Sequence, residues 1–571
     1  MGAVSLLFVA IPALILLHLY AAPYTKVEES FHVQAIHDIL SYGIPSSNYS
    51  LHLQENYDHF SFPGAVPRTF VGAVVLSGLS RPFIWLNESI DRQFLARAIL
   101  GLLNASALLS YTSGIQRAFG RTTAVWYLLF QASQFHVLYY ASRMLSNMFA
   151  FGLTMLAMRF LLPEQVASDA YRKRCRLALY LLTIAGIVFR SEIALFLATH
   201  TIFLLLAGRV TILQDIIPAG ILGLLIGLAF TVGVDSFFWQ QFPLWPEFTA
   251  FKFNVISGNA SAWGTHPWYF YFSNAIPRLL LNPLTYLIGA PMALVQPATR
   301  RSAAYILIPS LAFVTFFSIQ PHKEWRFIVY TVPPLTAVSA LGASYIWTHR
   351  AKSFIYRILS LLMIGSTFGS FVLSTFVLLP SSSANYPGAH ALHALHRHAH
   401  DSKPEISVYL NNLACQTGVT RFLQLPPSES PLVHLPGSPD GSIPALQSGH
   451  SIWKYDKTED EATKSTASFW EQFDYVLVEP GDEEKKVLAA SGHPDQWEVV
   501  DAVDGFAGLR FLRPGVDATG QVEKKVLHSI FGQEGVRLWE SGREFVRRSV
   551  TRGWWAEIRM EPKIKILRHV Q

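Results

Sequence analysis

His322-Lys323-Glu324-Trp325-Arg326-Phe327 places four ionisable side chains between two strongly apolar segments. Charge so close to hydrocarbon is costly, so it points to function and to a chain that meets a membrane there. Composition agrees: of 571 residues, 51% are hydrophobic, only 15% are charged and 40 are Phe. A soluble chain of this length carries more charge, and the expected fold is a polytopic α-helical membrane protein. The net charge of +6 is modest and gathered in short loops. That pattern orients membrane spans and implies no nucleic-acid partner. Cys175 and Cys415 are too few for a disulfide framework and stand in no metal-ligand spacing.

Apolar segments long enough to cross a bilayer recur up to about Leu379, roughly ten to twelve by length. Residues 4–22 lack a positive n-region, and the run is close to the roughly 20 residues of one crossing. They read as an uncleaved anchor rather than a signal peptide, although Ala21-Ala22 offers small residues for cleavage. The short basic loops at 117–121, 172–176, 300–301 and 350–357 face the cytosol by the positive-inside rule. The loop after the first span, Arg143, residues 235–278 and the hexapeptide then lie on the lumenal side. This threading makes residues 70–86, flanked by Arg68 and Arg81, a lumenal or re-entrant segment. It also divides residues 177–207 into two half-helices around Arg190-Ser191-Glu192. The sequons at Asn48, Asn87 and Asn259 fall in lumenal stretches, and the one at Asn104 falls within a span.

Composition changes at Pro380-Ser381-Ser382-Ser383-Ala384-Asn385-Tyr386-Pro387-Gly388. Residues 1–380 are read as a transmembrane module carrying the first lumenal loop, and 381–571 as a C-terminal α/β domain with a basic amphipathic tail. The apolar runs 406–410 and 475–478 read as strands, and residues 497–512 alternate around Gly505. The tail at 524–568, with Trp554-Trp555, suits a membrane surface or a solvated helix packed on the domain. His390, His393, His396, His398 and His400 invite a metal. With no cysteine nearby, a surface helix or linker is the simpler reading.

Two constellations carry chemistry. In Thr25-Lys26-Val27-Glu28-Glu29-Ser30-Phe31-His32 the acids either begin a helix, with Thr25 and Glu28 forming a capping box, or remove a proton from an acceptor hydroxyl. Adjacent acids on a helix point about 100° apart, so only one can face a reacting centre. Later in the same loop, Asp58 and His59 shape a polar acceptor site or an ordinary interfacial loop, and Arg68 is a candidate phosphate contact. The second constellation is the hexapeptide, where His322, Lys323 and Arg326 compensate a phosphate and Glu324 orients a cation. Anchoring at lipid headgroups is the alternative. Arg143, and Arg190 with Glu192, are further charges suited to the same cavity or to structural ion pairs.

In order and spacing, residues 25–40, 57–70, 142–150, 322–328 and 416–422 resemble the endoplasmic-reticulum mannosyltransferases that use dolichyl-phosphate mannose, glycosyltransferase family 22 with the GT-C fold. The resemblance is nearest to members that form an α-1,6 linkage. It implies transfer of mannose, with inversion, from dolichyl-phosphate mannose to a 6-hydroxyl of a dolichyl-diphosphate-linked oligosaccharide, Man7GlcNAc2-PP-dolichol. It further implies a multi-pass protein of the endoplasmic-reticulum membrane with a lumenal active site and neither metal nor cofactor. The family's base falls on the first acid of the pair, so Glu28 is the expected base and Glu29 its close alternative. Arg68, Lys323 and Arg326 are carried over as phosphate ligands, with His322 and Arg143 as further candidates. A secondary transporter or lipid flippase is the alternative function, and it requires two related halves that the sequence does not display.

Overall fold

A computed structural model describes residues 3–164, 168–399, 403, 405–425 and 452–570. The chain forms two compact units, Met1–Leu19 with Pro45–Val377 and Tyr20–Ile44 with Leu378–Gln571. Residues of the first loop therefore pack with the C-terminal residues, across a gap of more than three hundred positions.

The first unit is built of apolar helices. Among the described residues four are long and apolar enough to cross a membrane: Arg92–Phe119, Ile212–Trp239, Trp325–Thr348 and Phe354–Ser383. The pair Tyr271–Leu280 and Thr285–Val295, bent by 111°, makes a fifth if it is one broken span. The protein is a multi-pass membrane protein. Further apolar runs form shorter helices, among them Leu6–Ala21, Val71–Leu86 and Ile193–Leu206. Residues expected to be a lumenal or re-entrant segment form the single helix Val71–Leu86. The division of 177–207 is as expected, with Asp169–Val188 and Ile193–Leu206 separated at the charged tripeptide. Asn104 is buried and donates to the carbonyls of Ala141 at 2.8 Å and Met148 at 3.1 Å, consistent with its place inside a span.

Helix contacts in this unit use small residues, as expected where hydrocarbon gives apolar side chains no preference for one another. Gly223 and Gly227, one turn apart, face Thr183 and Ile187 of the Asp169–Val188 helix, and a methyl group at either would meet those side chains below 3.0 Å. The approach at Gly342 is closer still: an added Cβ would lie 1.9 Å from the carbonyl oxygen of Gly289.

The second unit contains a five-stranded sheet: β1 (Glu405–Leu410), β2 (Ile452–Asp456), β3 (Tyr475–Val478), β4 (Trp497–Leu512) and β5 (Trp555–His569). Its order is β2-β1-β3-β5-β4, parallel among the first three and antiparallel at β3-β5 and β5-β4. Ile406, Val408 and Leu410 join Leu477, Ile564 and Ile566 in one apolar cluster. Tyr409, Val476, Val478 and Leu567 join Phe469 and Trp470 in another. Strands covered on both faces read as unbroken apolar runs, which is why β1 and β3 are visible in the sequence. The tail differs from the expected surface segment. Residues Gln521–Ser549 are helical, but β5 is an inner strand of the sheet, its alternating Ile564 and Ile566 buried between basic neighbours. The histidine run forms the helix Pro387–His398, whose Leu392 and Leu395 pack on the sheet, and His396 pairs with the Tyr455 hydroxyl at 2.8 Å. His400 lies outside the described residues. Among the described residues no group of three His, Cys, Asp or Glu side chains is placed to hold a metal.

Because the obstruction at Gly342 is backbone, Gly342→Ala is expected to lower the thermal unfolding midpoint of the purified protein, through a loss of about 1–3 kcal/mol. Gly365→Ala, with nothing within 4 Å of the added methyl, is the control and leaves the midpoint unchanged.

Candidate active site

The hexapeptide opens the 3-10 segment Trp325–Thr331, and Glu324 sits at its head in extended backbone. One carboxylate oxygen, Oε1 of Glu324, accepts from Arg326 Nη2 at 2.6 Å and contacts His322 Nε2 at 3.0 Å. The other ring nitrogen of His322 faces the Gly264 carbonyl at 3.0 Å. Burial works against the Glu324 carboxylate, yet Arg326 and His322 outweigh it and hold its pKa below the usual range. Lys323 points inward: Nζ donates to the His266 carbonyl at 3.0 Å and to the Gln320 carbonyl, and burial lowers its pKa. Trp325 packs against Tyr140, with ring centroids 4.2 Å apart.

Arg68 is reachable by solvent yet crowded by protein. Crowding pushes its pKa down to about 10, and the nearby charges of Arg190 and Arg326 push the same way, against Glu247 and Glu324. Three guanidinium groups from distant parts of the sequence thus lie near enough to act on one another's charge. The acids beside them are already engaged. Glu192 accepts from Arg190 Nε at 3.0 Å and from Asn147 at 2.7 Å, and Glu247 accepts from the Ser191 amide at 2.8 Å. Burial opposes the charge on Arg190, but Glu192 and Glu247 overcome it and raise its pKa. Burial pushes the Glu247 carboxyl up to about 7, with Arg190 pulling it down. Such a crowded, water-reachable cluster of cations is suited to a phosphate.

The Arg68 loop is fixed from the end of the Ile217–Trp239 helix. Buried Asp235 accepts from the Phe70 amide at 2.7 Å and from Thr69 at 3.2 Å, and Trp239 Nε1 donates to the Arg68 carbonyl at 3.0 Å. His59, named as an acceptor-site candidate, is buried and pairs with the Phe238 carbonyl at 2.9 Å, beside half-buried Asp58. Arg143 is buried, its guanidinium 4.2 Å from the centroid of the Tyr139 ring. Sequence reasoning paired Arg190 with Glu192 but missed Asn147, Asp235 and Glu247. Among these, only buried charge near a span end could have flagged Asp235.

In the second unit the acid pair divides. Glu29 is buried, and its Oε1 accepts from the Lys26 amide at 3.2 Å while its own amide donates back to the Lys26 carbonyl at 2.9 Å. The cap is therefore made by Lys26 and Glu29, one residue later than the expected Thr25 and Glu28. Glu28 is exposed at the head of the Ser30–Tyr42 helix. Lys26 Nζ donates to the Asn385 carbonyl at 2.7 Å and lies 5.2 Å from the Tyr386 ring centroid.

The model of the Alg9-like mannosyltransferase family matches residues 7–424, more than half of the sequence. The chain belongs to this family. It is similar to the probable Dol-P-Man:Man(7)GlcNAc(2)-PP-Dol alpha-1,6-mannosyltransferase of Schizosaccharomyces pombe, at 34% identity over 86% of this chain and 79% of that one. The corresponding Saccharomyces cerevisiae enzyme is 31% identical over 88% of this chain and 89% of its own length. ArnT of Cupriavidus metallidurans bound to undecaprenyl phosphate shares the fold, with a TM-score of 0.56 at 14% identity, over 88% of this chain and 97% of that one. The protein is thus a mannosyltransferase of GT-C architecture, and membership displaces the transporter or flippase reading.

A mannosyltransferase with this cation cluster has a pH signature. As pH falls through about 7, Glu247 takes up a proton and the surroundings of Arg68 and Arg190 become more positive. A long-chain phosphodiester, whose single charge does not titrate in this range, is expected to bind roughly three- to tenfold more tightly at about pH 6 than at about pH 8. Binding isotherms at the two pH values check this, and Glu247→Gln shrinks the difference.

Proposed function

We propose that this chain transfers mannose from dolichyl-phosphate mannose to a 6-hydroxyl of Man7GlcNAc2-PP-dolichol, forming an α-1,6 linkage on the lumenal face of the endoplasmic-reticulum membrane. The observation that carries this reading is similarity to two relatives of that printed activity over 86% and 88% of this chain. No metal or cofactor enters the reaction.

The chemistry asks for two things. A protonated alcohol is a poor nucleophile, so a base must take its proton as the new bond to the anomeric carbon forms. As the bond from that carbon to the phosphate oxygen breaks, the electron pair leaves with the lipid phosphate, which gains a negative charge that fixed cations stabilise. We assign the base to Glu28. Glu29 is committed to closing the helix start, whereas Glu28 is exposed beside it. Arg68, Lys323 and Arg326 are assigned to the phosphate, with His322 and Arg143 supporting. Arg68 and Arg326 are the stronger members, because the Lys323 ammonium is already turned to two carbonyls. Asp58 and His59 are assigned to the acceptor side, His59 through the loop it pins.

Purified protein in lipid nanodiscs, given dolichyl-phosphate mannose and the lipid-linked heptamannosyl acceptor, should yield a product whose new mannose is released by an α-1,6-specific mannosidase. Glu28→Gln is expected to lower kcat by about 10²- to 10⁴-fold, the usual worth of a general base, with donor binding intact. Arg68→Ala or Arg326→Ala should weaken donor binding by about tenfold, roughly 1.4 kcal/mol. Near-normal turnover in Glu28→Gln would remove the base assignment, and product without an α-1,6 linkage would remove the reaction.

A further inference from the structure

The segment 416–422 carries part of the family resemblance but has no part in the chemistry assigned above, and the family match ends just beyond it, at residue 424. Its 3-10 turn, Arg421–Leu423, lies against the Ser30–Tyr42 helix within the second unit. Arg421 Nη1 donates to Asp38 Oδ1 at 2.7 Å, Nη2 donates to the Tyr42 hydroxyl at 2.9 Å, and the backbone amide donates to Gln34 Oε1 at 3.2 Å. Positions 34, 38 and 42 are spaced by four, so one residue grips one face of the helix along two turns. Asp38 is 1% exposed, and His37 Nδ1 meets the same Asp38 oxygen at 2.9 Å while its ring stands edge-on to Phe422. A carboxylate this deeply buried is held by paired cations and donors, and breaking such a pair is costly.

The same stretch is tied at its other end, where Lys26 meets the Asn385 carbonyl and Tyr24 packs on the rings of Tyr386 and His390. Glu28 stands between these two attachments. Ten residues separate it from Asp38, a lever of roughly 15 Å at the helical rise. A tilt of about 5° about Asp38 would move the Glu28 carboxylate by roughly 1 Å, and misplacement on that scale costs about a hundredfold in rate.

We propose that Arg421 is a positioning residue for the catalytic base: through Asp38 it fixes the tilt and rotation of the helix that starts beside Glu28. The inference rests on Glu28 being the base. It gives the C-terminal unit a part in the reaction.

A kinetic double-mutant cycle on the full-length protein tests it, with kcat scaled to the fraction of molecules that bind dolichyl-phosphate mannose. Arg421→Ala is expected to lower kcat by about tenfold or more while the donor KM stays within about twofold. In the Glu28→Gln background the same change should alter residual kcat by less than about twofold, because a residue acting through Glu28 has nothing left to position. An equal loss in both backgrounds, or Arg421→Ala with normal kcat, overturns the inference. Should Arg421→Ala fail to fold, the cycle is run with Asp38→Asn, which keeps volume and removes charge, and is read by the same criteria. Near-normal turnover in Glu28→Gln alone would instead overturn the base assignment, whereas an inactive Glu28→Gln with no coupling to Arg421 overturns only the positioning role.

Discussion

Crowding of like charge around Arg68 is the constraint that shapes this part of the helical unit. Arg68, Arg190 and Arg326 repel one another, and crowding by protein adds to the cost of charge on Arg68, although solvent still reaches it. Glu192, Glu247 and Glu324 offset part of it, but each is already bound to a neighbour. Such an arrangement is stable only if the fold holds the cations in place. Asp235, Asn147 and the backbone amides of Phe70 and Ser191 supply that restraint. An anion bound there would relieve the repulsion, the property on which the phosphate assignment proposed above relies.

The restraint is distributed in a way that local sequence does not reveal. Asp235 acts on residues 69 and 70, Asn147 on Glu192, and Arg421 on Asp38, each across at least 45 positions. Nothing in the immediate neighbourhood of Asn147 distinguishes it from any polar residue near a span. The hexapeptide was legible for the opposite reason, since four charges beside apolar segments have few cheap explanations. Strands β1 and β3 were legible because burial on both faces leaves an unbroken apolar run. Strand β5 was missed although Lys563-Ile564-Lys565-Ile566 alternates with period two. Its basic residues drew attention to the helix period of the preceding stretch, and the strand's partners β3 and β4 lie far upstream. Apolar runs do not map one to one onto long helices, since several form shorter ones such as Val71–Leu86 and Ile193–Leu206.

The second unit shows how a polar domain and an early loop become one object. Residues 20–44 are fastened at Lys26 and at Asp38, both times to groups beyond residue 378. One attachment is a charge-assisted bond to a carbonyl, and the other is a buried ion pair with further donors. The second is the more demanding, because a buried carboxylate without its partner is expensive. Turns of the C-terminal residues therefore serve as the mount for the loop.

With Glu28 assigned as the base, that mounting gives its neighbour Glu29 a separate task. A helix start leaves backbone amides without partners, and Glu29 answers for the Lys26 amide from a buried position. Its carboxylate is thereby fixed and unable to follow a reacting hydroxyl. Glu28, about 100° around the helix axis, escapes that commitment. Exposed to water, a carboxylate is a weak base with little direction, and it gains strength only when an arriving acceptor displaces solvent and supplies the hydrogen bond itself. Capping by Glu29 fixes the backbone from which Glu28 extends, so that the oxygen assigned above to accept the proton starts from a defined place without being spent on structure.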